Sequence, residues 1–256
     1  MAAGRVVIAS AVRTPIGKFK GGFTTVPAPR LGAIATKAAL DRARVRPEQV
    51  TELFFGCVIQ AGVGQNPARQ VLLHSGIPPS VSATTLNMVC GSGMQAMAHG
   101  VRLVERDPEA IVVAGGMENM TRAPYLLPQA RMGVGLGHGE LQDSMLVDGL
   151  LDAYDGKHMG LAGEYIAAKL GITRADVDAF ATRSHTRAAR ATEAGLSRQE
   201  IVPVEVELGP KRLIVDKDEG IRGDTSPEKL ARLKPAFKAD GVLTAGNASQ
   251  ISDGAS

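Results

Sequence analysis

Short β-branched runs alternate with longer runs of helical period along the first half of the chain. "RVVIASAVR" reads as a buried strand. "RLGAIATKAALDRARV" sets Leu31, Ile34, Ala35, Ala38 and Ala39 on one helical face, and Pro47 follows soon after its end. "ELFFGCVIQAG" predicts a second strand closed by Gly62. In "NPARQVLLHSGI", Asn66 suits an N-cap and Pro67 the first turn of a helix. "SATTLNMV" predicts a third strand. The run from Gly91 to Glu105 then repeats apolar residues at Met94, Met97, Ala98, Val101 and Val104, a helical period, and "AIVVAGGM" predicts a fourth strand. Strands alternating with helices imply an α/β fold with layers packed on a largely parallel sheet.

After Gly116 the periodicity lapses. "ENMTRAPYLLPQARMGVGLGHGELQDSM" is rich in Gly, Pro and Met, and a loop of that length is usually functional or contact-making. Helical pattern returns at "TRADVDAFATRSHTRAARATEAG", where Thr173 and Asp176 form a capping-box pair and Val177, Phe180 and Ala181 share the expected inner face. "IVPVEVEL" alternates as a half-exposed strand, with "KRLIVD" as its candidate partner.

Composition narrows the function classes. The 256 residues suffice for one large domain or two modest ones. A net charge of +3 with no long basic block argues against nucleic acid as partner, while leaving room for local cations facing an anionic ligand. Two cysteines make no disulfide framework and favour a reducing, cytoplasmic setting. The N-terminal apolar run is too short for a signal-peptide core, and no stretch approaches a membrane span.

The cysteines differ in context. Cys57, in "FFGCVIQAG", fits strand-core packing. Cys90, in "TTLNMVCGSGMQAM", falls between a strand and a helix, followed by Gly91, Ser92 and Gly93. A buried apolar role is the ordinary one for a free cysteine. The helix N-terminus argues otherwise, because its unpaired N–H groups and positive dipole end stabilise an anion on sulfur. The glycines would admit a substrate carbonyl, or permit close helix–strand packing, or both. No zinc-ligand spacing, nucleotide-binding glycine motif, G-x-S-x-G or P-loop occurs.

The segments "GQNPARQ", "NMVCGSGMQAM", "AGGMENM", "KHMG", "LKPAF" and "TAGNASQISDGAS", in that order, resemble those of the thiolases, specifically the acetyl-CoA acetyltransferases. The resemblance runs from "VVIASAVRTPIGKF" to the last residue. It implies a thiolase-like layered α/β fold: an N-terminal α/β domain over residues 1–120, rejoined by 247–256, and an inserted loop domain over 121–246 for oligomerisation and coenzyme A binding. It implies that Cys90 carries the acyl group as a thioester, in condensing two acetyl-CoA to acetoacetyl-CoA or in the reverse cleavage. It places His158 and Met159 beside the pantetheine and acyl end, Arg222 near the adenine, Ala245 and Ser249 along the pantetheine, and Phe237 in the wall of the same tunnel. Coenzyme A and acyl-CoA enter as substrates, no permanently bound cofactor or metal is expected, and the family assembles as homo-oligomers. The sequence lacks the motifs of the family's second α/β half, among them a "GHP" histidine and a "CxGGG" cysteine, so the C-terminal half is expected to be absent and this chain incomplete for catalysis. A decarboxylating β-ketoacyl synthase and a non-catalytic coenzyme A-binding or assembly subunit are the alternatives.

Overall fold

In the computed structural model, residues 6–256 are described and form two compact units. The first gathers the chain up to Pro124 with Arg198–Glu219 and Ser252–Ser256. Its sheet has three parallel strands, β2 (Glu52–Gly56), β3 (Ser82–Leu86) and β4 (Val112–Asn119), with β2 between the other two. β9 (Ser252–Ala255) adds to β4 antiparallel, and β1 (Gly17–Lys18) adds antiparallel to β9. The fold is therefore mixed α/β, with the parallel part built as two β–α–β units through α2 (Pro67–His74) and α3 (Ser92–Arg106).

Strand alternation sorts the layers. On β2, Leu53 and Phe55 are buried in the main core with Leu31 and Ala35 of α1 (Ala28–Ala43) and Val71 and Leu72 of α2. The intervening Phe54 and Gly56 face α3: the Phe54 ring lies 5.5 Å from that of His99, and a Cβ on Gly56 would lie 2.7 Å from Cβ of Ser92. α2 starts where the sequence places it. Asn66 is the N-cap, its side chain accepts the Arg69 N–H at 3.1 Å, and Pro67 occupies the first turn.

Two expectations are corrected in this unit, and α3 forms as expected but buries its small residues. "RVVIASAVR" forms no strand over its described residues; Val7 and Ile8 are exposed, and pairing is confined to a bridge between Arg13 and Ile201. β-branched residues favour a strand only where a ladder partner exists. On α3, the buried positions are Ser92, Ala96 and Gly100, whereas Met94 is 71% exposed and Met97 and Val101 also face outward. The sheet approaches α3 too closely for large side chains: a Cβ on Gly100 would meet Val112 Cγ1 at 3.2 Å. Finally, residues 198–219 pack in the first unit instead of the inserted domain. The antiparallel pair β7 (Val204–Leu208) and β8 (Lys211–Val215) buries Val204, Val206 and Val215 in the main core. Asp218 pairs with Arg13 through two hydrogen bonds of 2.7 and 2.9 Å.

The second unit comprises Tyr125–Ser197 and Gly220–Ile251. Residues 247–251, expected in the first domain, belong here. A short antiparallel ladder of β5 (Tyr125–Leu126) and β6 (Gln142–Asp143) closes the base of the Gly-rich loop, whose Met132, Val134, Leu136 and Leu141 are exposed. Two helices carry the rest, α4 (Met159–Leu170) and α5 (Arg174–Glu193), with the single-turn α6 (Pro227–Ala231) beside them. The Thr173–Asp176 capping box forms at the start of α5. The face of α5 differs from the expected one: Phe180 is exposed beneath Arg183, while Asp178 and Ala181 are buried. Asp178 is drawn inward because it accepts from Arg174 Nε at 2.8 Å and from Asn247 Nδ2 at 2.8 Å. Glu164 of α4 is another buried clamp, accepting the N–H groups of Val242 and Leu243 at 2.9 and 2.8 Å.

Candidate active site

Cys90 is exposed on the turn between β3 and α3, one residue before Gly91, the N-cap of the helix. No side chain caps this end. Val89, the residue before the cysteine, has φ +48°, in the left-handed region that β-branched residues avoid. Such a conformation costs on the order of 1–3 kcal/mol and persists only where its surroundings hold it. Here the hold is explicit. Ser92 Oγ donates to the Val89 carbonyl at 2.6 Å and accepts the Met88 N–H at 2.9 Å. Asn87 Oδ1 accepts the Val89 N–H at 3.0 Å, and Asn87 Nδ2 donates to the Val58 carbonyl at 3.4 Å.

The glycines bring the start of α3 onto the sheet. A Cβ on Gly56 would lie 2.8 Å from the Ser92 backbone carbon and 2.9 Å from the Gly93 nitrogen. A Cβ on Gly116 would lie 3.4 Å from Gly93 Cα. Close helix–strand packing is thus one purpose of Gly93 and its strand neighbours. Around Gly91 the crowding comes from the end of a flexible chain, Met88 Cε at 2.6 Å from the added Cβ.

Behind the turn sits a half-buried carboxylate. Glu118 of β4 accepts the N–H groups of Val58 at 2.9 Å and Ile59 at 3.3 Å, and its Oε1 lies 3.9 Å from the Cys57 thiol. Burial, ahead of any partner, raises the Glu118 carboxyl above its ordinary range. Burial together with the Glu118 charge pushes the Cys57 thiol up to about 12. Cys57 is therefore a neutral, enclosed thiol, the inert kind, as its strand context suggests. Asn87 and Glu118 lay inside recognisable segments of the sequence, yet neither was distinguishable as part of the site, since their bonds run to Val58, about 30 and 60 positions away.

The remaining candidates lie in the second unit. His158 is the N-cap of α4, its Nδ1 accepting the Gly160 N–H at 3.0 Å, so that the proton of the neutral ring sits on Nε2. Its ring stacks on Phe237 with centroids 4.9 Å apart. Gly160 permits this, because a Cβ there would stand 2.4 Å from the Phe237 ring. Met159 opens the helix and is partly exposed. Ala245 and Ser249 are exposed on the following loop, where Ala236 N–H donates to the Leu243 carbonyl at 2.8 Å and Thr244 N–H to Asn247 Oδ1 at 2.7 Å. His158, Met159 and Phe237 are thus grouped, with the 243–249 loop tied to the Phe237 segment. Arg222 is exposed, and its N–H donates to His185 Nδ1 at 3.2 Å. Lys229 is less available as an anion-binding cation, since its ammonium donates to the Asp224 carboxylate at 2.6 Å. Among the described residues, no cluster of His, Cys, Asp or Glu could hold a metal ion, and no helix is long and apolar enough to cross a membrane.

Residues 6–256 match the family model for the thiolase N-terminal domain. An acetyl-CoA acetyltransferase of Chromobacterium violaceum is 50% identical over 254 residues, covering 98% of this chain and 64% of that protein. Acetyl-CoA acetyltransferases of Pseudomonas aeruginosa and Cupriavidus necator are each 47% identical over 254 residues, with the same coverage. The chain spans a little under two thirds of the length of these relatives.

Proposed function

This chain belongs to the thiolase family, and from that premise we propose that it carries the acyl-accepting half of an acyl-CoA acyltransferase, with Cys90 as the nucleophile. The observation that supports this most strongly is the placement of Cys90: exposed, next to a strained Val89, at the uncapped start of α3. A sulfur anion there stands at the positive end of the α3 dipole. It attacks the carbonyl carbon of an acyl-CoA thioester. The carbon–sulfur bond to coenzyme A then breaks, coenzyme A departs as the thiol after taking up a proton, and the acyl group rests on Cys90 Sγ as a new thioester. A second acyl-CoA carbanion, or free coenzyme A in the reverse direction, releases it.

Coenzyme A is on this reading a substrate and leaving group. We assign the second unit to its recognition. The stacked His158 and Phe237, with Met159, offer a mildly polar apolar wall for pantetheine, flanked by Ala245 and Ser249, and Arg222 offers a cation for the nucleotide end. The names of the relatives support acetyl-CoA as the acyl donor.

Limiting iodoacetamide followed by peptide mass spectrometry tests the nucleophile. Alkylation of Cys90 with Cys57 left intact is the expected result. Preferential labelling of Cys57 would sink the assignment.

A further inference from the structure

The turn that carries Cys90 is locked at two levels. Within the turn, Ser92 Oγ ties Met88 to Val89. That lock ties the turn to the start of α3, where Ser92 is buried against Gly56 of β2. The outer tie is a relay. Asn87 holds the Val89 N–H through Oδ1 and the Val58 carbonyl through Nδ2; Val58 N–H in turn is held at 2.9 Å by Glu118. Ile59 N–H, on the other oxygen of the same carboxylate, stops the 57–59 segment from swivelling. Cys57 N–H to the Leu86 carbonyl at 3.0 Å adds a parallel strut next to Asn87.

We propose that Asn87 and Glu118 are positioning residues for Cys90, an inference that rests on the reading of Cys90 as nucleophile. Glu118 acts through Val58 and Asn87, and the conformation they maintain is the left-handed Val89. Rotation at Val89 is what sets where the next residue stands against the helix N–H groups. Withdrawing a carboxylate from water, even in part, is costly, and this one is kept where two backbone donors on the loop behind the nucleophile can use it. Asn87 is exposed, so hydrophobic packing gives no reason for its identity.

The test measures the second-order rate of Cys90 alkylation in the whole chain, with Cys57 protection in the same digest reporting that the unit remains folded. Asn87→Ala, at an exposed position, is expected to slow Cys90 by about fivefold, the size of one lost hydrogen bond, with Cys57 still protected. Glu118→Gln places an amide N–H against a backbone N–H and is expected to slow Cys90 similarly. The double variant is expected to be no slower than the worse single one, because both act through one relay. Should Glu118→Gln unmask Cys57, Glu118→Asp, which keeps both acceptor oxygens on a shorter arm, takes its place. A wild-type rate in Asn87→Ala overturns the inference, as does a double variant slowed by the product of the two single effects. Failure of wild-type Cys90 to label ahead of Cys57 overturns instead the nucleophile reading on which it stands.

Discussion

The carboxylate of half-buried Glu118 lies 3.9 Å from the thiol of buried Cys57, and it also holds the Val58 N–H behind the turn that presents Cys90. Burial first, and this carboxylate second, suppress one cysteine, and the same carboxylate braces the loop behind the other.

This pairing gives the unit an alkaline weakness. Burial and the neighbouring charge raise the folded Cys57 thiol from 9.0 to about 12. The unfolded chain therefore loses that proton first. The stabilisation is complete below pH 9 and is lost as pH rises towards 12, at up to about 1.4 kcal/mol per pH unit. Urea unfolding between pH 9 and 11 should show this slope in the wild type and a flatter one in Cys57→Ala. Equal slopes would mean the thiol does not titrate on unfolding.

Gly56→Ala should disturb the site from below. The new methyl would sit 2.8 Å from the Ser92 backbone carbon, which cannot move aside as a flexible side chain could. A loss of about 1–3 kcal/mol is expected, with altered Cys90 alkylation. Full stability and an unchanged rate would show that α3 stands far enough from β2 to admit a methyl group.

In the second unit, Asp178→Ala should leave Arg174 and Asn247 without their shared buried partner. Arg174 keeps part of its side chain in solvent and its carbonyl partners, so the loss is that of hydrogen bonds to a buried carboxylate, about 1–3 kcal/mol. Limited proteolysis should cut within residues 220–251 far faster than in the wild type, and an unchanged pattern would show that Asp178 does not clamp this segment.

The loop between β5 and β6 exposes Met132, Val134, Leu136 and Leu141. We assign it to subunit contacts, since free apolar side chains on a Gly-rich loop suit an adaptable interface. Light scattering should give a lower mass when the loop tip is shortened, with the circular dichroism retained. The same mass would reject the assignment.

Coenzyme A binding to the chain, measured by calorimetry, should weaken roughly fivefold in Arg222→Ala, as for a partly solvated charged contact. Binding that is unaffected would remove Arg222 from the site while leaving His158 and Phe237 in place.

Local chemistry was legible in the sequence wherever it was self-contained. Asn66 and Thr173 cap their helices because an N-cap bonds only three residues ahead. The strand in "ELFFG" was legible because its short apolar run carries the signal locally. Where the outcome depended on a distant partner, the pattern misled. Val7 and Ile8 are β-branched without a ladder. Met94 and Met97 mark a helix, but α3 buries its small residues, since Gly56, Gly100 and Gly116 draw the sheet against it. The hairpin of Val204 and Val215 joined the first unit through a core it could reach only in three dimensions. Cys90 could be singled out from its turn and glycines, whereas Asn87 and Glu118 needed the Val58 backbone between them.

The most direct measurement is incubation of the chain with acetyl-CoA, followed by rapid acid quench and peptide mass spectrometry. One acetyl group on the Cys90 peptide, absent after Cys90→Ala and never on Cys57, is the expected result. Folded protein that gains no acetyl group at Cys90, or that is acetylated to the same extent after Cys90→Ala, would contradict the assignment of Cys90 as the acyl carrier.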